Sequence, residues 1–275
     1  MKDYLELTKP NVTWLILMST AVGFYLGSRQ IEWWLLAHVM IGTALVASGT
    51  AALNQWMERA VDGRMRRTRN RPLPAGRLGQ RPAFFFGLAL AAGGAVYLAV
   101  MVNLLTASLG AFTCSSYLLC YTPLKSRSVL ATLVGAFPGA MPILMGWTAA
   151  TGRLGLEGWV LYGILFFWQF PHFLAIAALY KEDYQRGGIR VPDIVSTGRQ
   201  VVTGTLALLA LSVVPTLLGV AGAYYGAGAL ALGCAFLYFG IGIARRHTAL
   251  DARRLLQASV VYLPLVYVLM VVDKV

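Results

Sequence analysis

Charge is what this sequence has least of. Asp, Glu, Lys and Arg make up 12% of its 275 residues against 58% hydrophobic, and the mean hydropathy is +0.65. A soluble globular domain carries about a quarter charged residues, so the scarcity excludes water as the solvent for most of the chain. Cysteine is scarce as well. Cys114, Cys120 and Cys234 lie in apolar stretches with no CxxC or Cys/His spacing, which excludes a disulfide framework and a Cys-built zinc site. Short alternating segments divided by turns are missing, and with them a transmembrane barrel. A basic n-region is missing from MKDYLELTKP, as is an Arg/Ser-rich transit segment. The first apolar stretch is therefore expected to be retained, and a prokaryotic plasma membrane to be the location.

What is present is a series of long apolar runs. A helix needs roughly 20 apolar residues to cross the hydrocarbon core, and nine stretches approach that length: 11–28, 33–54, 83–102, 104–121, 128–149, 157–179, 200–220, 223–243 and 256–272. Helices are the spanning element that such runs allow, because every backbone polar group must be satisfied internally in lipid. The expectation is an all-α integral membrane protein of nine transmembrane helices, one polytopic domain over residues 1–275.

The net charge of +12 would suit a nucleic-acid partner, but its placement does not. With the N-terminus inside, 20 of the 23 Lys and Arg residues fall on that side, eight of them at 59, 64, 66, 67, 69, 71, 77 and 81. Only Arg29, Arg153 and Lys274 fall on the other. The positive-inside rule then predicts a cytoplasmic N-terminus, an outside C-terminus and an odd number of spans. The two long inner loops, about 55–82 and 181–200, hold nearly all the acidic residues away from the chain ends. Function is expected at the cytoplasmic face. The loops follow spans four apart and both open on an acidic cluster, which hints at two similar halves around a central cavity.

The loop at 55–82 opens on AALNQWMERAVDGRMRRTRNRPLPAG, in which Asn54, Glu58 and Asp62 stand at i, i+4 and i+8. On a helix they share one face over roughly 12 Å. The plain alternative is a solvated helix end whose acids pair with the arginines that follow. Two features argue against it: an Asn at membrane depth needs a partner, and eight arginines exceed what two carboxylates can pair. Oxygen ligands beside many guanidiniums compose a Mg²⁺-diphosphate site, since Mg²⁺ takes a few carboxylate or amide oxygens and Arg binds phosphate bidentately. The second cluster is FFWQFPHFLAIAALYKEDYQRGG, with Gln169 and His172 in an aromatic run around Pro171, then Lys181, Glu182 and Asp183. A lone His on a helix is as readily a satisfied structural residue as a ligand. In YTPLKSRS, Tyr121 precedes Lys125 and Arg127; a Lys at a helix end is usually a snorkelling anchor, and only the neighbouring loops raise it to a diphosphate contact.

These segments resemble the UbiA-type intramembrane prenyltransferases, and within them the branch that modifies haem. The resemblance runs through LTKPNV (Leu7 to Val12), NQWMERAVDGRMRRTRNRPLPAGRL (Asn54 to Leu78), YTPLKSRS, GAFPGAMPILMGW (Gly135 to Trp147), WQFPHFLAIAALYKEDYQRGG (Trp168 to Gly188) and ARRLLQASVVYLPL (Ala252 to Leu265). The family's N-x-x-x-D-x-x-x-D motif falls on Asn54, Glu58 and Asp62. Its D-x-x-x-D motif keeps Asp183 but has Leu179 four residues before it, with Glu182 as the carboxylate that would compensate. Asn11 departs from the Arg frequent in that branch.

The resemblance implies transfer of farnesyl from farnesyl diphosphate to a vinyl carbon of haem B, in the lipid bilayer, with Mg²⁺ as cofactor. By the same carry-over, Asn54, Glu58, Asp62 and Asp183 are the catalytic, metal-binding residues. Arg67, Arg71, Lys125, Tyr121 and Lys181 contact the diphosphate, and His172 contacts haem. The protein partners it would imply are haem A synthase or a terminal oxidase. One alternative within the same fold is a prenyltransferase acting on an aromatic or glycerol-phosphate acceptor. The alternative from another class is a membrane transporter, which predicts polar residues spread through several spans rather than gathered on one face of the membrane.

Overall fold

The protein is described by a computed structural model covering residues 1–275, with side chains for all but Ile194 and Val195. Its helices are α1 (Lys2–Leu7), α2 (Pro10–Gly27), α3 (Trp33–Arg64), α4 (Gln80–Met101), α5 (Leu104–Ser116), α6 (Thr122–Leu124), α7 (Ala131–Thr151), α8 (Leu156–Leu179), α9 (Lys181–Gly187), α10 (Ile194–Ser212), α11 (Val214–Leu217), α12 (Ala223–Arg246) and α13 (Ala249–Val272). A π-helical turn, Tyr117–Tyr121, joins α5 to α6. No strand occurs among the described residues; Ala221 and Lys274 form an isolated antiparallel bridge.

Among the described residues, eight helical stretches are long and apolar enough to cross a membrane: α3, α4, Leu104–Leu124, α7, α8, Ser196–Leu217, α12 and α13. The expected first span forms α2, which is not among them. Its 18 residues rise about 27 Å, just short of a 30 Å hydrocarbon core, and it opens on Pro10 and Asn11. Length and composition alone thus support eight spans, and the ninth depends on how α2 sits in lipid. The largest boundary difference is in α3, which runs ten residues past its expected end at 54. NQWMERAVDGR is rich in good helix formers and meets no proline before Pro72, so the charged segment stays helical.

The chain divides into two compact units, Met1–Leu154 with Glu182–Arg190, and Gly155–Lys181 with Val191–Val275. In the first, α3 packs along α4 and α2 along α7. Lipid tails are as apolar as side chains, so such helices associate by close packing. The α2–α7 seam depends on two glycines: a Cβ on Gly146 would stand 1.9 Å from Thr20 O, and one on Gly23 2.0 Å from Ile143 O. Beside this seam Phe24, Val39, Val46, Leu98, Ala107 and Met145 form a buried cluster. Asn103 caps α5 by accepting from Thr106 N at 2.8 Å, and donates to Thr148 O at 3.1 Å.

In the second unit α8 packs against α10 and α13, and α12 against the same two. Several of its buried polar groups are matched to each other, as lipid favours. Tyr225 Oη donates to Ser212 O at 2.6 Å, and Ser212 Oγ meets Tyr262 Oη at 2.8 Å. Pro171 lies inside α8 without ending it.

Candidate active site

The extension of α3 keeps Asn54, Glu58 and Asp62 on one helix face. Asn54 and Asp62 are each 1% exposed. Each of the three is met by one cation. Lys9 Nζ donates to Asn54 Oδ1 at 3.1 Å, Lys125 Nζ lies 2.9 Å from Glu58 Oε1, and Arg71 Nη1 lies 2.7 Å from Asp62 Oδ2. Three oxygens on one helix thus face three cations drawn from three other segments. Asn54 Nδ2 donates onward to Thr122 Oγ1 at 3.2 Å.

Local backbone features aim these cations. Lys9 lies in the left-handed region, at φ 48° and ψ 62°, ahead of Pro10; such a conformation in a non-glycine residue costs about 1–3 kcal/mol and recurs at functional sites. Burial, with repulsion from Arg71 and Lys125, brings the Lys9 ammonium down to about 8, against the pull of Glu58 and Asp62. The π-helical turn precedes Pro123, which brings no N–H to the ladder, and Thr122 Oγ1 donates to Tyr117 O at 2.9 Å. This turn sets Tyr117 edge-on to Tyr121 with centroids 4.8 Å apart, and Lys125 Nζ sits 4.6 Å from the Tyr121 ring centre.

The arginine segment after α3 is tied down by Asp183. Its carboxylate accepts Arg66 N at 3.2 Å and Arg67 N at 3.1 Å, and Arg186 Nη1 at 3.0 Å. Burial works to raise this carboxyl, but the N–H groups of Arg67 and Arg66 and the Arg186 guanidinium outweigh it and hold it below the ordinary carboxylate value. Arg67 lies over the Tyr184 ring at 5.6 Å, and Thr68 Oγ1 donates to Asp62 O at 2.8 Å. Arg190 N donates to Lys125 O at 2.9 Å. Two segments more than a hundred residues apart in sequence therefore meet at the end of α3.

Of the expected site residues, Asn54, Glu58, Asp62, Arg67, Arg71, Tyr121, Lys125 and Asp183 come together in the first unit. Lys181 is exposed at the start of α9. His172 belongs to the second unit. There its ring stacks on Trp168 at 4.6 Å, and its Nδ1 lies 2.8 Å from Ser259 Oγ. Sequence reasoning left Lys9, Thr122, Tyr117, Tyr184, Arg66 and Arg186 out of the site. The only signal for Lys9, Thr122, Tyr184, Arg66 and Arg186 was their place in the segments that carry the resemblance; Tyr117 had none.

Among the described residues no three His, Cys, Asp or Glu side chains lie close enough to hold an ion alone. The oxygens are hard, aligned on one face, and already matched by positive charge. Such a set fits an ion like Mg²⁺ that keeps several waters and takes few protein oxygens besides substrate phosphate.

A sequence model described as the UbiA prenyltransferase family matches residues 16–262. A protein named Protoheme IX farnesyltransferase, from Solibacter usitatus, is 53% identical over 100% of this chain and 99% of its own length. One of the same name from Koribacter versatilis is 43% identical over 100% and 94%. Among solved structures, a digeranylgeranylglyceryl phosphate synthase superposes with a TM-score of 0.81 at 17% identity, covering 99% of this chain and 97% of its own. A UbiA homologue of Archaeoglobus fulgidus bound to GPP and Mg²⁺ superposes at 0.67 and 16%, covering 98% and 99%. At these identities the structural likeness is one of fold. The full-length match to curated relatives goes further: the chain belongs to the UbiA prenyltransferase family and is a membrane prenyltransferase.

Proposed function

We propose that this protein transfers the farnesyl group of farnesyl diphosphate to a vinyl carbon of protohaem IX, giving haem O. The observation that carries the reading is the pairing of Asn54, Glu58 and Asp62 with Lys9, Lys125 and Arg71, in a chain whose full-length relatives are named for that reaction. Asn54, Glu58, Asp62 and Asp183 would hold Mg²⁺, which when bound neutralises diphosphate charge and favours its departure. Lys125 and Arg71 exchange their carboxylate partners for phosphate oxygens as substrate enters. Arg67, Tyr121 and Lys181 complete the diphosphate contacts. When the farnesyl C1–O bond breaks, its electron pair leaves with the diphosphate, and these fixed cations stabilise the charge that develops there. The vinyl carbon bonds to C1, water adds to the neighbouring vinyl carbon, and a proton is released.

In this reading residues 1–275 act as one domain of the plasma membrane with its N-terminus and both long loops cytoplasmic and its C-terminus outside, and haem A synthase or a terminal oxidase receives the product. The decisive experiment is extraction and mass analysis of haems from membranes that express the chain. Haem O is expected; haem B alone, with active wild-type controls, would overturn the assignment.

His172 is the proposed haem contact, and its hydrogen bonds support that role. Ser259 Oγ donates its one proton to Leu256 O at 2.6 Å, so toward His172 it accepts, and the imidazole proton is assigned to Nδ1. This tautomer leaves the lone pair on Nε2, the nitrogen an iron or a propionate-bound water would meet. His172→Ala is expected to shift the Soret band and weaken haem binding about tenfold or more, with farnesyl diphosphate affinity preserved. A drop in thermal stability with both affinities unchanged would make His172 purely structural.

A further inference from the structure

Arg77 does not meet the ladder; its guanidinium faces the N-terminal helix. Nη1 pairs with Asp3 Oδ1, and Nη2 lies 2.8 Å from Glu6 Oε2 and donates to Asn70 O at 2.9 Å. Asp3 and Glu6 stand at i and i+3 on α1 and so lie side by side, and Asn70 immediately precedes Arg71. One side chain therefore grips two segments, and each carries a cation of the site. Lys9, three residues past Glu6, meets Asn54, and Arg71 meets Asp62. The two segments also touch beneath this grip, where Leu7 and Leu73 belong to one buried cluster with Ala52 and Ala83. Tyr4 lies edge-on to Phe86 with centroids 4.9 Å apart. Gln55 Nε2, next to Asn54 in the chain, donates to Leu7 O at 2.9 Å. Consecutive residues of α3 thus fix the end of α1 and the lysine that follows it.

We propose that Arg77 is a positioning residue: it holds α1 and the turn before Arg71 in place ahead of substrate, so that Lys9 and Arg71 already stand against the ladder. Its role rests on the reading of that ladder as the diphosphate end. A helix of six residues does not stand alone in water, so α1 keeps its place through these contacts. Arg77 and Asp3 are 39% and 32% exposed, and an ion pair this open to water is worth at most about fivefold in an equilibrium. Three acceptors on one guanidinium do better than three separate pairs, because one side chain is ordered once for all of them. Without Arg77, the ordering of α1 and the turn is deferred to the moment of substrate binding, which lowers affinity. The bound state is the same, so kcat holds while KM rises. Loss of fold does the reverse, leaving fewer active molecules with unaltered KM.

The test uses purified full-length protein in lipid nanodiscs, with transfer measured at saturating haem B and varied farnesyl diphosphate. Arg77→Ala is expected to raise KM for farnesyl diphosphate about five- to tenfold, with kcat within about twofold of wild type. Asp3→Asn combined with Glu6→Gln removes the partners on α1 and leaves Arg77 in place. This pair is expected to raise KM about three- to fivefold, and to add little in a Lys9→Ala background, because α1 acts through Lys9. It stands alone if the Arg77 variant does not fold. Folded variants with wild-type KM, a fall in kcat without a rise in KM, or an α1 effect undiminished in the Lys9→Ala background would each overturn the role. Wild-type protein that prenylates no haem would overturn the acceptor reading instead. Arg77 is then judged by binding of the non-hydrolysable farnesyl thiolodiphosphate, where an affinity unchanged in Arg77→Ala would again overturn it. Wild-type protein that does not bind this analogue would overturn the diphosphate reading and the role of Arg77 with it.

Discussion

Asp62→Ala is expected to lower prenyl transfer by about a hundred- to a thousandfold while leaving the protein folded, the loss typical when one pre-positioned group that stabilises developing charge is removed. Asp62 is buried and answers Arg71 at 2.7 Å. Alanine there removes a hard oxygen that Mg²⁺ would require and also frees Arg71 from its fixed place. Glu58→Ala is expected to act in the same direction through Lys125. The folded state should survive because Arg71 is 29% exposed and can turn toward water rather than remain as a stranded buried charge. Steady-state transfer, with size-exclusion profiles as the control for folding, provides the measurement. Wild-type rates in the Asp62 variant, or full wild-type activity in excess EDTA, would remove the metal from the proposal.

Asp183→Ala is expected to have the next largest effect, and it separates two roles for one carboxylate. The side chain accepts two backbone N–H groups from Arg66 and Arg67, so its loss leaves both donors unmatched and releases the segment that carries Arg67. Hydrogen bonds to a charged group contribute about 1.5–3 kcal/mol each, and losing the two together should weaken prenyl diphosphate binding by about a hundredfold. A clamp of this kind predicts that affinity falls even without Mg²⁺, and that trypsin cleaves among Arg64 to Arg71 more readily. A pure metal ligand predicts a changed Mg²⁺ dependence with protease resistance intact. Unaltered affinity and unaltered Mg²⁺ dependence would remove Asp183 from the site.

The polar ladder was legible in the sequence because the helical repeat is local. Residues four apart share a face whatever the rest of the chain does, so spacing alone aligns Asn54, Glu58 and Asp62. The extent of α3 was underestimated for a related reason. Apolar length measures what lipid covers, whereas helix propensity continues through NQWMERAVDGR regardless of solvent. Lys9 escaped notice because its role depends on a left-handed backbone ahead of Pro10, a conformation that spacing does not encode. His172 could be singled out as a polar residue in an apolar run, but its partner Ser259 lies 87 residues away.

Composition and periodicity, by themselves, determined that this is a helical membrane protein, where its helices run to within about ten residues, and which side chains share the face of α3. These properties follow from interactions within a few residues along the chain and from the solvent outside it. Only the tertiary structure decided which cation meets which oxygen, since Lys9 and Lys125 reach α3 across 45 and 67 residues. It also decided that Asp183 secures the arginine segment. Those pairings depend on the rotation and separation of packed helices, set at seams such as Gly146 against Thr20, and no pattern within a single helix specifies which face of its neighbour it will meet.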